Sequence, residues 1–222
     1  MIAAPLLVLA AYTAGAIPAS FWTGRFLYGK DLRKLGSRNL GATNVQRVLG
    51  WGAAIPVGLF DVFKGFAPAF WFPVVDDRTA GWWAVVYGGA AITGHCFSFW
   101  VRFRGGKGVA TSGGVLIAIA PMTAGVGAGV WLLTLLVARR VSVASIAAAL
   151  SVPVTGFFVD STFPIMTFLV LMAAFVVWAH RSNIRRIRAG EEPRIGDPLE
   201  GGGGTESEGG SPDRPGGEGG GR

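Results

Sequence analysis

An all-α, polytopic integral membrane helical bundle of about seven transmembrane helices is the fold class this sequence predicts, on three observations. The 222 residues are 51% apolar and only 15% charged, with a mean hydropathy of +0.48, too hydrophobic for an ordinary soluble domain. The apolar residues gather into long runs, most of them near the ~20 residues that a helix needs to cross a bilayer. The basic residues fall in clusters between those runs, as they do in loops held on the cytoplasmic side.

The runs cover residues 2–24, 48–75, 80–100, 108–121, 122–138, 141–159 and 162–180. The first lacks a basic leader and is followed by further spans, so it reads as a retained helix rather than a cleaved signal peptide. Pro121 divides 108–138 into two segments shorter than a usual span, and one long tilted helix is the alternative. Charge arbitrates between them. With seven helices, Arg25, Lys30, Arg33, Lys34, Arg38 and Arg47, then Arg102, Arg104 and Lys107, then Arg139 and Arg140, and finally Arg181, Arg185, Arg186 and Arg188 share one side. The other side holds little but Asp76, Asp77, Arg78 and Asp160. Merging the two short segments sends the last cluster outside, so the expected topology has the amino terminus outside and the carboxyl terminus cytoplasmic. Gly88, Gly89, Gly113, Gly114, Gly125, Gly127 and Gly129 read as sites of close helix approach. Pro18, Pro56 and Pro153 read as kinks or helix starts, and the eight tryptophans as packing or interfacial anchors.

The net charge of +7 is unevenly spread. Residues 1–190 hold 17 Lys or Arg against 5 Asp or Glu, whereas residues 191–222 hold 3 against 8. We therefore expect a transmembrane domain over 1–194 and a disordered Gly/Glu-rich cytoplasmic tail over 195–222; 11 of the last 22 residues are glycine and cannot bury a core. The lone Cys96 excludes an intramolecular disulfide and a cysteine metal cluster, and no close set of His, Cys or carboxylate ligands implies a metal or other cofactor. A soluble nucleic-acid-binding module is absent from the pattern.

Three polar segments interrupt the runs. Gly36-Ser-Arg-Asn-Leu-Gly-Ala-Thr-Asn-Val-Gln-Arg47 offers turns at Gly36 and Gly41, hydrogen bonds from Ser37, Asn39, Thr43 and Asn44, and charge from Arg38 and Arg47. That combination suits a phosphorylated ligand. Gly94 to Thr111 contains Arg104-Gly-Gly-Lys-Gly-Val-Ala-Thr111, where Gly105, Gly106 and Gly108 surround Lys107 at the start of a helix, an apt anion site. It is not a Walker A loop, because no glycine stands five residues before Gly106 and Gly108 follows Lys107 where Ser or Thr belongs. A plain positive-inside loop explains Arg102, Arg104 and Lys107 equally well, but not the interleaved glycines. His180 to Arg194 follows the final run; its arginines also serve as stop-transfer residues, and Gly190 is a helix C-cap. The two histidines, His95 and His180, both fall at cytoplasmic helix ends. Asp61 and Lys64 lie three apart on one face within the second run, where ionisable groups are either functional or mutually paired.

In order and spacing, the dodecapeptide, Asp61-Val-Phe-Lys-Gly65, Gly94-His95, Arg104 to Thr111 and His180 to Glu192 resemble the successive motifs of the bacterial acyl-phosphate:glycerol-3-phosphate acyltransferases, the PlsY family, across about 190 residues. The resemblance implies transfer of a fatty acyl group from long-chain acyl phosphate to the 1-position of glycerol 3-phosphate. The products are lysophosphatidic acid and phosphate, at a cytoplasm-facing site in the bacterial inner membrane. It implies that Ser37, Asn39, Thr43, Asn44 and Arg47, with the turn glycines Gly36 and Gly41, cradle one phosphate and the glycerol hydroxyls. Lys107, Gly105, Gly106, Gly108 and Thr111 then hold the other phosphate. Lys64, His180, Asn183, Arg186 and Glu192 join the site by motif match, with Glu192 positioning the arginines, while spacing leaves open which pocket takes which substrate. His95 is the general-base candidate by residue type, and the departing phosphate is the alternative proton acceptor. Arg38 and Ala16 depart from the pattern, standing where glycine and serine are common. A glycerolipid acyltransferase with His followed five residues later by Asp is disfavoured, because Trp100 and Arg185 occupy those places. A transporter or channel for an organic phosphate is the rival from another class; it predicts charge along a path and internal repeats, and neither is evident.

Overall fold

A bilayer core offers no partner for a free N–H or C=O, so each apolar run folds as a helix that satisfies its own backbone. The computed structural model describes residues 4–78, 81–159 and 162–197; Asp160 and the expected tail from 198 onward lie outside the described residues. Among the described residues α1 (Ala4–Ala16) stops before Pro18, and α2 (Ala19–Trp22) runs on into a π turn over Thr23–Leu27. The short α3 (Ala42–Leu49) and the long α4 (Trp51–Val75) are parted by Gly50, whose φ of 85° favours glycine. Then come α5 (Gly81–Cys96), a 3-10 turn (Phe99–Val101), α6 (Val109–Ile119), α7 (Pro121–Ala138), α8 (Val141–Val159), α9 (Phe163–Ala179) and α10 (Arg181–Arg188).

Pro121 does divide residues 108–138, since Ala120 takes φ −150° and ψ 67° between α6 and α7. The single tilted helix is not formed. Among the described residues five helical stretches are long and apolar enough to cross a membrane, or six if α9 and α10, bent by 55°, count as one. The run that falls short is α6, whose 11 residues rise about 16 Å, roughly half a bilayer core. The dodecapeptide is only half irregular, because its second part forms α3. The folded body also extends past residue 194: Ile195 N–H donates to the Arg139 carbonyl at 2.7 Å.

Glycine sets how closely the helices meet. A Cβ on Gly15 would strike the Ala91 carbonyl, and one on Gly94 the Tyr12 carbonyl, which locks α1 against α5. Gly65 and Gly114 play the same part between α4 and α6. Gly88 sits against Val115 and Gly127 against Val152. Close approach does not explain Gly89, Gly113, Gly125 or Gly129, where an added Cβ would meet nothing within 4 Å. Leu136, Phe157 and Phe163 project outward, as lipid-facing side chains do. At one end of the α4–α5 hairpin, buried Asp76 accepts a hydrogen bond from Tyr87 at 2.9 Å and pairs with Arg78 at 2.5 Å.

Candidate active site

The first motif forms a turn braced from beneath. Gly36 (φ 56°) and Arg38 (φ 59°) flank Ser37 in the left-handed region, and Arg38 N–H closes the turn on the Leu35 carbonyl at 3.0 Å. Asn44, fully buried in the first turn of α3, accepts from Ser37 N–H at 2.8 Å and donates to the Leu32 and Leu35 carbonyls at 3.1 Å each. Both amide donors are thereby used. Asn44 holds the loop in shape and lines neither of the two cavities described below, where the motif match implied a place in a phosphate cradle. Gly36 is glycine both for its φ and because a Cβ there would meet Asn44 Oδ1. Ser37, Asn39, Gly41, Thr43 and Arg47 face a cavity.

The glycine loop doubles back on the end of α5. Gly105 N–H donates to the Cys96 carbonyl at 3.0 Å and Gly106 N–H to the His95 carbonyl at 3.2 Å. Those two donors are spent within the fold and are not available to a phosphate. Their lack of side chains is what the loop requires: a Cβ on Gly105 would strike the His95 carbonyl, and one on Gly106 would strike His95 Nε2 and the Leu40 carbonyl. Gly108 (φ 78°) caps α6, whose first-turn N–H groups have no helical partners. Thr111 lies against Gly65 of α4, fully buried, its hydroxyl without a hydrogen-bond partner among the described residues, and it lines neither of the two cavities described below. Gly106→Ala should displace the loop by overpacking, costing about 1–3 kcal/mol of stability and, by misplacing Lys107, about 100-fold in turnover. A melting curve and an activity assay on the purified variant check both.

The third motif converges on Glu192. α10 ends in a Schellman turn: Gly190 (φ 77°) donates to the Ile187 carbonyl at 3.1 Å and Glu191 N–H to the Arg186 carbonyl at 2.8 Å. This reversal brings Glu192 back under the helix. Its buried carboxylate accepts from Ser142 Oγ and Asn183 Nδ2 at 2.7 Å each and pairs with Arg186 Nε at 2.8 Å. Burial alone would raise the Glu192 carboxyl, but the hydrogen bonds from Asn183, Ser142 and Arg186 outweigh it and hold the group below the usual range. Asn183 Oδ1 in turn accepts from Lys107 Nζ. Burial pushes the Lys107 ammonium down from 10.5 to about 8; Glu192 opposes this, and Arg186 and Arg47 add to it. Burial likewise lowers Arg47, partly offset by Glu192.

Lys64 is committed within the fold: its ammonium meets Asp61 at 2.8 Å and the Ile17 carbonyl at 2.9 Å, and it lines neither of the two cavities described below, where the motif match implied a substrate ligand. Its partner Asp61, which the sequence marked as functional or paired without giving it a role in the site, lines the larger cavity and stands 3.6 Å from His95 Nδ1. His95 is therefore carboxylate-backed, with Nδ1 toward Asp61 and Nε2 against Gly106. His180 Nδ1 lies 2.8 Å from the Val176 carbonyl, which can only accept, so Nδ1 carries the proton and Nε2 the lone pair. Among the described residues no group of three or more His, Cys, Asp or Glu is placed to share a metal ion.

Two cavities meet here. The larger, about 630 Å³, has a polar end at Ser37, Arg47, Lys107, Asn183 and Glu192 and an apolar continuation between α6, α7, α8 and α9 past Leu116, Ala124, Val152 and Met172. Gly113 and Gly125 border that continuation, which accounts for two of the glycines that touch nothing. The smaller, about 340 Å³, is lined by Arg38, Arg181, Arg185 and Arg186 and, among the described residues, by no carboxylate. Ser37, Asn39 and Lys107 belong to both. The basic loops near residues 38–47, 107, 139–142 and 181–192 are thus gathered at one end of the bundle. The family model for glycerol-3-phosphate acyltransferase matches residues 5–190 of this sequence.

The chain belongs to the glycerol-3-phosphate acyltransferase family.

Among relatives bearing that name, the protein of Synechococcus sp. (strain JA-2-3B'a(2-13)) is 43% identical over 196 residues, covering 88% of this chain and 96% of its own. That of Gloeobacter violaceus is 44% identical over 193 residues, covering 86% and 94%. The crystal structure of PlsY, an integral membrane glycerol 3-phosphate acyltransferase, in its glycerol 3-phosphate form superposes with a TM-score of 0.81 at 37% identity, over 87% of this chain and 96% of PlsY. Its lysophosphatidic acid form gives 0.77 at 34%, over 86% and 94%. This acyltransferase-family protein is therefore an integral membrane helical protein, as its composition predicted.

Proposed function

We propose that this protein transfers a fatty acyl group from acyl phosphate to the 1-hydroxyl of glycerol 3-phosphate, releasing lysophosphatidic acid and inorganic phosphate. The observation that carries the reading is the junction of two unlike cavities at Lys107: one long and apolar behind a polar end, the other short, cationic and, among the described residues, free of carboxylates. Family membership supports the acceptor and the reaction. The donor follows from shape and charge. In an acyl phosphate the dianion adjoins the reacting carbonyl, which suits an apolar slot ending at Lys107 and Arg47, whereas a coenzyme A thioester carries its phosphates far from that carbon. The larger cavity then takes the donor and the smaller one glycerol 3-phosphate.

Within this reading the acceptor hydroxyl attacks the acyl carbon, a new C–O bond forms, and the bond from that carbon to the phosphate oxygen breaks. Lys107 and the N–H groups opening α6 stabilise the charge on the carbonyl oxygen and the leaving phosphate. The hydroxyl proton goes to the departing phosphate or to His180 Nε2. His95, set between Asp61 and Gly106, supports the glycine loop rather than serving as the base. Gathering of the basic loops at one end supports a cytoplasm-facing site in the bacterial cell membrane. It also supports an outside amino terminus, with α6 and α7 entering from and returning to that face as two of seven helices.

Purified protein given glycerol 3-phosphate should form lysophosphatidic acid from palmitoyl phosphate and none from palmitoyl-coenzyme A. Product from the thioester alone overturns the donor assignment, and no product from either favours a transport role. Filling the slot should shorten the preferred donor: Gly113→Leu should lower kcat/KM for palmitoyl phosphate by about 10-fold while leaving octanoyl phosphate within about twofold, since each lost methylene contact is worth ~0.8 kcal/mol.

A further inference from the structure

Resting on the acyl-transfer reading, we propose that Arg38 captures the acceptor: its guanidinium draws the phosphate of glycerol 3-phosphate into the smaller cavity and holds it there. The backbone is the first observation. Arg38 sits at φ 59°, a region that glycine enters freely and other residues enter at a cost. Of the other non-glycine residues with positive φ among the described residues, Arg102 and Arg139 end helical turns, Phe103 directly follows Arg102, and Asp77 follows the last turn of α4. Arg38 ends no helix. Its conformation is imposed by the turn that presents Ser37, at a place where glycine would be unstrained, so the arginine is retained for its side chain.

That side chain is the second observation. It lines the smaller cavity and not the larger, and among the described residues its guanidinium has neither an ion-pair nor a hydrogen-bond partner. Most neighbouring cations are committed. Lys107 donates to Asn183, Arg186 pairs with Glu192 at 2.8 Å, and Arg181 donates to the Trp178 carbonyl at 3.2 Å while covering that ring at 4.2 Å. Arg185 is also uncommitted, but it rides on α10 in unstrained helical backbone. An uncommitted guanidinium facing a concave wall that, among the described residues, holds no carboxylate is complementary to a dianion, which it can grip with two parallel hydrogen bonds. Because Arg38 stays clear of the cavity assigned to the acyl donor, its contact is made equally in the ground and transition states, and its loss falls on KM rather than kcat.

The test compares full-length wild type, Arg38→Gly and Arg38→Lys at saturating palmitoyl phosphate, with glycerol 3-phosphate and salt varied and calorimetric binding of glycerol 3-phosphate measured alongside. One charge-assisted contact predicts that Arg38→Gly raises KM and Kd for glycerol 3-phosphate about 10-fold and keeps kcat within about twofold. KM for palmitoyl phosphate should not move, the salt dependence of the acceptor KM should weaken, and Arg38→Lys should recover only part of the affinity, since the ammonium keeps the charge and loses the two-pronged grip. Arg38→Gly should melt no lower than wild type, because glycine relieves the left-handed turn. An unchanged acceptor KM and Kd, or a loss confined to kcat, overturns the proposal. Wild type without any turnover would instead end the acyl-transfer reading, and equal calorimetric affinity of wild type and Arg38→Gly would then overturn the Arg38 assignment on its own.

Discussion

Lys107→Met should lower turnover about 1,000-fold without unfolding the protein, because it removes a preorganised cation at the junction of both cavities. The same residue sets a pH dependence. Its ammonium loses its proton near pH 8 in the folded protein rather than near 10.5, so kcat/KM should decline as pH rises past about 8. Stability runs the other way. Burial of the charged form is a penalty present below about pH 8, where folded and unfolded states are both protonated, and it is relieved between about 8 and 10.5, where the unfolded chain binds the extra proton. Lys107→Arg, charged throughout, should retain part of the activity and move the alkaline decline to higher pH. A pH–rate profile of the two proteins decides the matter; an unshifted decline would assign it to another group.

Glu192→Ala should produce the other large effect, this time through the fold. The carboxylate joins Ser142 at the start of α8, Asn183 and Arg186 on α10 and, through Asn183, Lys107. Removing it leaves those donors buried without their acceptor, and loss of one partner from such a buried network costs about 3–5 kcal/mol. Turnover should fall about 100-fold or more as Lys107 loses its anchor. Thermal unfolding in detergent with a parallel assay checks both, and a variant that melts and turns over like wild type would remove Glu192 from the account.

The apolar runs were legible because the bilayer forces helices on them; Pro121 was legible as a break because only a reversal there puts the basic clusters on one side, since proline alone does not end a helix in this chain: α4 continues through Pro56, Pro68 and Pro73 and α8 through Pro153. That the three polar segments meet at shared cavities was legible from glycine, charge and order along the chain. Individual roles were less so. Asn44 and Ser37 belong to one motif, yet only folding shows that Asn44 turns its amide onto the Leu32 and Leu35 carbonyls while Ser37 faces the cavity. Lys64 and Asp61 are adjacent on α4, and a small rotation decides which one reaches the cavity wall. Ser142 lies 50 residues from Glu192 in an apolar helix with no motif around it, so nothing in the sequence marked it. Gly113 and Gly125 looked like packing glycines because composition cannot distinguish a residue that is small to admit a helix from one that is small to leave a slot open.

The central claim is that both substrates are held together and the acyl group passes directly between them. It is tested most directly by phosphate release from palmitoyl phosphate, measured with purified protein in the presence and absence of glycerol 3-phosphate. The account predicts phosphate and lysophosphatidic acid in equal amounts, and neither without the acceptor. A burst of phosphate equal to the enzyme concentration before glycerol 3-phosphate is added would contradict it, since that result requires an acyl-enzyme.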